Sequence, residues 1–176
     1  MAKAITIDKC GGSDQFNYVD IDIPAPADGE VTIRHEAIGL NYIDVYFRTG
    51  LYPIAQFPAV VGMEGAGTVT AIGPDVTGFL IGDRVAYAAP PIGAYATERN
   101  IRASALVKLP DAIDFETAAA MMLQGLTVQY LIRQSYQVQN GDTVLLHAAA
   151  GGVGLIASQW LKHLGATVIG LSLIHI

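Results

Sequence analysis

The chain has one cysteine, Cys10, in 176 residues. A single thiol excludes an internal disulfide and any cysteine-rich zinc site. Only ten residues are Lys or Arg, they are scattered singly, and the net charge is −6. No basic stripe remains to follow a phosphate backbone, so a nucleic-acid partner is not expected. The N-terminus "MAKAITIDKCGG" has no apolar stretch of signal-peptide length, and a cytoplasmic protein is the expectation. Charge of either sign is sparse: 15% of residues against 52% hydrophobic, with a mean hydropathy of +0.39. That balance raises the question of a membrane span. The longest run without formal charge lies between Asp142 and Lys162. It contains His147, Gln159 and the glycines Gly151, Gly152 and Gly154, which a lipid-exposed helix does not tolerate. A buried strand and helix of a globular protein is the expected reading, with no membrane partner. No internal repeat or low-complexity tract is present.

Glycine and proline punctuate the first two-thirds of the chain, from Gly11 to Pro91. Short strand-like runs lie between them: "EVTIRHEAIGL", which alternates through Val31, Ile33 and His35, then "GAGTVTAIG" and "DRVAYAA". This pattern predicts a small β-barrel or sandwich. Its expected core is Val31, Ile33, Val60, Val61, Val69, Val85 and Tyr87. "NYIDVYFRTG" predicts one or two helical turns that end at Gly50. The composition changes near Asp111. "DFETAAAMMLQGLTVQYLIRQSY" is rich in helix formers, with Asp114 as its cap. Ala118, Met121, Met122, Val128, Leu131 and Ile132 mark its buried faces, and Gly125 is a candidate break between two helices. After the turn "QNGD", "TVLLHA" reads as a buried parallel strand and "GGVGLIASQWLKHL" as a helix. Gly165 is its C-cap and "ATVIG" a second strand. The boundary falls between residues 115 and 125. We divide the chain into a β domain, residues 1–120, and the start of an α/β domain, residues 121–176.

The strand–helix turn carries the chemistry. A phosphate group needs close backbone approach and helix N–H groups directed at the anion; glycines permit the first and a helix N-terminus supplies the second. "AAAGGVG" is a G-x-G-x-x-G variant with Ala149 at the first position. Gly151 and Gly152 would approach a pyrophosphate with Val153 between the glycines, and Gly154 would let helix and sheet pack closely. An NAD site places an acidic residue at the end of the second strand. Gly170 stands there, so no carboxylate opposes a 2′-phosphate and NADPH is the expected cofactor. His175 is the only basic candidate beyond it, and a weak one.

The order of elements resembles the medium-chain dehydrogenase/reductase superfamily, a GroES-like β-barrel domain followed by a Rossmann domain. The closer resemblance is to its zinc-free quinone oxidoreductases, including the zeta-crystallin type. It is carried by "AIGLNYIDVYFRTGLYP", "VGMEGAGTVTAIG", "GDRVAY", "GAYATERNI", "FETAAAMMLQGLTVQYLI" and "HAAAGGVGLIASQWLKHLGA", which cover nearly the whole chain to Gly170. Family members are roughly twice this length. The resemblance therefore implies an N-terminal fragment with an incomplete Rossmann domain, from a truncated or frame-shifted reading frame. "LSLIHI" departs from the family pattern.

Zinc alcohol dehydrogenases of the superfamily bind catalytic zinc through two positions occupied here by Asn41 and Met63. An amide and a thioether are poor Zn²⁺ ligands, so no metal is expected. The resemblance then implies NADPH-dependent reduction of a quinone, with the protein stacking the rings and donating hydrogen bonds to the developing oxyanion. Asn41, Tyr46 and Tyr52 are the expected donors. In the family the segment Asn41, Tyr42, Ile43, Asp44, Val45 and Tyr46 lines the nicotinamide and substrate pocket. Thr127 and Tyr130 approach the cofactor in that pattern; read without it, both are ordinary helix-packing residues. His147 is read as a core histidine bonded to backbone, Glu64 as a buried supporting carboxylate, Cys10 as inert, and Asp44 as a local cap. Two other functions remain open: reduction of the C=C bond of an enone or enal, and a non-catalytic crystallin-like or GroES-like module. The intact parent is expected to be a homodimer and the fragment inactive.

Overall fold

The structure, a computed structural model, describes residues 1–172; His175 lies outside the described residues. The chain forms two compact units, Met1–Met122 and Leu123–Ile176. The first contains β1 (Ala2–Ile7), β2 (Asn17–Ile21), β3 (Glu30–Gly39), helix α1 (Tyr42–Thr49), β4 (Ala59–Val60), β5 (Glu64–Ile72), β6 (Arg84–Ala88), β7 (Glu98–Arg102) and β8 (Val107–Lys108). They make two antiparallel sheets, ordered β2-β1-β4 and β7-β3-β5-β6-β8, and a bridge between Ala4 and Ala96 ties β1 to the segment before β7.

Val31, Ile33, Val61, Val69, Val85 and Tyr87 are fully buried. Burial of side chains of this size contributes about 2 kcal/mol each. Val60 is only half-buried, in a two-residue strand. The alternation of β3 is interrupted by register shifts at Thr32/Ile33 and His35/Ala37, so Thr32 is buried too. Its hydroxyl donates to Asn100 Oδ1 at 2.7 Å, as a buried hydroxyl requires. Helix α1 stops at Gly50, which takes a left-handed φ of 83°.

Helix α2 (Phe115–Gln129) opens on Asp114, whose Oδ1 accepts the Thr117 N–H at 2.6 Å. It does not break at Gly125. It runs through that residue and continues in wider π-type turns over Tyr130–Ser135. A mid-helix glycine costs only about 1 kcal/mol, less than packing on either side supplies. Ala118 is buried with Met122 packed against its cluster, four residues on, while Met121 beside that face is 38% exposed. Val128 and Ile132 form a second buried pair at the same spacing. Leu131 falls outside it and is exposed, because the π-type turns shift the helical phase.

The second unit carries β9 (Thr143–Leu146), α3 (Gly152–His163) and β10 (Thr167–Gly170). β9 and β10 pair in parallel from Thr143–Thr167 to Leu146–Gly170. Val128, Ile132, Val138, Ala157 and Leu161 form the core, with Val144, Leu146 and Val168 packed on it. The expected burial on both faces is not found: Leu145 is 57% and Ile169 50% exposed. Only the alternate residues Val144, Leu146 and Val168 meet the core. Leu164 ends α3 and Gly165 follows with φ of 81°, its N–H donating to Lys162 O and that of Ala166 to Leu161 O. Among the described residues no helix is long and apolar enough to cross a membrane.

Candidate active site

In the first unit the candidate residues gather where β3 passes into α1. β3 ends at Gly39, where a Cβ would meet Glu64 Oε2 and the Ala119 carbonyl. Only a bare backbone permits that approach. Two residues on, Asn41 is 6% exposed and donates its Nδ2 to Glu64 Oε2 at 2.5 Å; Glu64 is 1% exposed. The Asn41 N–H donates to Asp44 Oδ2 at 2.9 Å and the Asp44 N–H returns to Asn41 O at 3.0 Å, which closes the first turn of α1. The Tyr95 hydroxyl donates to the same Asp44 oxygen at 2.9 Å. Burial pushes the Asp44 carboxyl up, against the hydrogen bonds from Asn41, Tyr95 and the Met63 backbone that favour its charged form. Burial also pushes the Tyr95 phenol up, and the Asp44 carboxylate adds to the shift. Asp44 is thus the local cap expected of it, and Tyr95 locks it from outside the helix.

Tyr46 and Tyr52 are neighbours. Gly50 turns the chain back so that the Tyr52 N–H donates to Tyr46 O at 3.1 Å. Their rings meet edge-on at 5.4 Å, Tyr42 packs on Tyr46 at 5.2 Å, and Phe47 on Tyr52 at 5.5 Å. Tyr42 and Tyr52 are exposed and Tyr46 is half-buried, as are Ile43 and Val45. Neither the Tyr46 nor the Tyr52 hydroxyl has a hydrogen-bond partner among the described residues. Met63, at the other expected zinc position, is buried at 7% exposure. Among the described residues no three His, Cys, Asp or Glu side chains come together as a metal site.

The second unit presents the glycine turn. Ala148 takes a left-handed φ of 54° at the end of β9, and the Gly151 N–H closes the turn on Ala148 O at 2.8 Å. Gly151 then opens α3 as its N-cap residue and brings no side chain of its own to that end. The first N–H groups of a helix lack intrahelical partners, so this end is suited to an anion. A Cβ on Gly154 would strike the Ala148 and Ala149 carbonyl oxygens, the close helix–strand approach expected of it. A Cβ on Gly152 would lie 2.5 Å from Gln124 Oε1, a side chain rather than backbone. Gly170 borders the same turn, its Cβ position 2.9 Å from that of Ala149. Val153 is half-buried behind the glycines. These features fit a dinucleotide pyrophosphate.

Thr127 donates its hydroxyl to Leu123 O at 2.8 Å inside α2, and Tyr130 is 56% exposed. His147 is exposed rather than held in the core, because β9 has already left the packed face. Cys10 is exposed, with Sγ 3.9 Å from Phe47 O. Sequence reasoning missed Tyr95, and nothing local in "GAYATERN" signals a partner 51 residues away.

Residues 27–111 match the family model described as alcohol dehydrogenase GroES-like domain. A quinone oxidoreductase of Pseudomonas aeruginosa is 54% identical over 170 residues, 97% of this chain and 52% of the relative. A 2-haloacrylate reductase of a Burkholderia species is 45% identical over 175 residues, 97% of this chain and 53% of the relative. The solved structure of Escherichia coli quinone oxidoreductase complexed with NADPH superposes with a TM-score of 0.94 at 46% identity, covering 97% of this chain and 52% of that one. The chain spans about half the length of the curated relatives it matches.

Proposed function

We propose, from a chain that belongs to the quinone oxidoreductases of the medium-chain dehydrogenase/reductase superfamily, that the whole protein reduces quinones with NADPH. The observation that carries this is the start of α3 on Gly151 and Gly152, directly behind a strand and a glycine turn. Gly151, Gly152 and Gly154 would hold the pyrophosphate, and Gly170 leaves the 2′-phosphate unopposed by a carboxylate. NADPH supplies the hydride when bound.

In the first unit, Tyr46 and Tyr52 present phenol hydroxyls without partners among the described residues. They are suited to donate to the oxygen on which a reduced quinone gathers negative charge. Asn41 spends an N–H on Glu64, so we assign it to fixing α1, and through α1 the two tyrosines. With an amide and a thioether at positions 41 and 63, the reading needs no zinc. The likeness to a 2-haloacrylate reductase favours a second reading, reduction of an activated C=C bond, for which the same donors serve a developing enolate.

The test is NADPH oxidation by the whole protein with 1,4-benzoquinone and, separately, with 2-chloroacrylate. Faster turnover of the quinone supports the first reading and faster turnover of the acrylate the second. No oxidation with either supports a non-catalytic module.

A further inference from the structure

A cleft of about 660 Å³ opens in the first unit and is lined by neither Asn41, Tyr46 nor Tyr52. Ile23, Pro24, Ile54, Pro91 and Ile92 give it apolar walls. One basic residue lines it, Arg99 on β7, which is 7% exposed. Strand alternation turns Arg99 to the same buried side as Ile101.

A guanidinium taken out of water normally faces a carboxylate. Arg99 forms no ion pair among the described residues. Its Nη1 donates to the Tyr87 hydroxyl at 3.3 Å, its Nη2 to Pro91 O at 3.1 Å and its Nε to Asn100 O at 3.4 Å. Tyr87 stacks on it at 5.3 Å and accepts or donates on its other side at His35 Nε2, 2.9 Å away. Those contacts use three of five N–H donors and supply no negative charge. Gly93 lets the backbone come close to the guanidinium: a Cβ there would sit 3.2 Å from Cζ. Asn100 is already engaged, with Thr32 and with Pro24 O.

We propose that this cleft binds a small organic monocarboxylate, its carboxylate on Arg99 and its apolar body along Ile23, Pro24, Ile54 and Ile92. A guanidinium fork matches a carboxylate, and the walls match an alkyl or aryl body. Glu30 and Glu98 also line the cleft and disfavour anions of higher charge, inorganic phosphate included.

The test titrates the full 176-residue chain with hexanoate, hexan-1-ol and inorganic phosphate, without NADPH, and follows the amide resonances of Ile54, Gly93 and Asn100. Hexanoate is expected to shift them saturably, hexan-1-ol to bind at least about tenfold more weakly, and phosphate not at all. Arg99→Met should abolish the preference for hexanoate. Equal binding of acid and alcohol, a matching response to phosphate, or unchanged hexanoate binding by Arg99→Met overturns the proposal. Should Arg99→Met fail to fold, the comparison of acid with alcohol on the native chain decides alone. Binding is read without turnover, so its failure leaves the quinone reductase reading intact.

Discussion

Asn41 Nδ2 and Glu64 Oε2 lie 2.5 Å apart in a buried hydrogen bond that joins the start of α1 to the start of β5. Replacing the amide by a carboxylate makes the pair repulsive. Asn41→Asp is expected to cost about 3 kcal/mol at pH 8, through a lost bond and two buried like charges. Part of that should return at pH 5.5, because the folded pair takes up a shared proton more readily than the unfolded chain does. Urea unfolding of the variant and the native chain at both pH values checks it. An equal loss at both would show that Asn41 and Glu64 are not coupled in this way.

Much of this site was legible in the sequence because it is local. The helix "NYIDVYFRTG" has its cap, its acidic third position and its closing glycine within ten residues, and the glycine turn sits between its strand and helix. What was not legible depends on distant partners. Nothing near Tyr95 or Glu64 announces Asp44 or Asn41, and "TVLLHA" looks buried on both faces because period and composition do not say which neighbours exist. Gly125 misled for a related reason: propensity suggests a break, but packing on Ala118 and Val128 either side decides. The buried Arg99 lies in a strand whose sequence, "ERNIR", reads as solvent-facing.

Acid should weaken the first unit through His35. Its Nδ1 lies 2.6 Å from Ala96 O, and its pKa is lowered to about 4, chiefly by burial, with the Arg99 charge adding to the shift and the Ala96 bond opposing it. A folded value below the unfolded 6.5 means that the unfolded chain binds the proton first. Stability is therefore full above about pH 6.5 and falls as pH drops toward 4, by roughly 2–3 kcal/mol from this residue. Urea midpoints of native chain and His35→Gln between pH 7.5 and 4.5 test this. The variant's profile should be flatter by that amount; parallel profiles would exclude His35 as the cause.

Purified protein should hold no stoichiometric zinc. Asn41 is committed to Glu64 and Met63 offers a thioether, both unsuited to Zn²⁺. Elemental analysis after dialysis measures it, and one zinc retained per chain would contradict the expectation.

Two glycines of the turn should fail differently. Gly154→Val forces a side chain onto the Ala148 and Ala149 carbonyls, so the second unit should unfold more easily. Gly152→Asp meets only the Gln124 side chain, which can move, but it sets a negative charge at the positive end of α3. In the whole protein it should abolish NADPH binding while thermal unfolding changes little. Calorimetric titration and a melt separate the two. Native NADPH affinity in Gly152→Asp would leave "AAAGGVG" as a packing turn only.

The two units should differ in stability when these 176 residues are prepared as they stand. Val69 is fully buried in a five-stranded sheet, between β3 and β6. β9 and β10 form a two-stranded parallel pair, with Leu145 57%, Leu155 55% and Ile169 50% exposed in the same unit. Parallel sheets are stable when both faces are covered, and isolated strand pairs are marginal in water. The backbone entropy of ordering each residue, about 1–2 kcal/mol, is offset here by burial on one face alone. Amides around Leu145 and Val168 should therefore exchange faster than those around Val69, by about tenfold or more, as expected of local opening. Hydrogen exchange followed residue by residue gives the comparison. Equal protection at Val69 and Val168 would mean that the single packed face, through Val144, Leu146 and Val168 on Leu161, is sufficient.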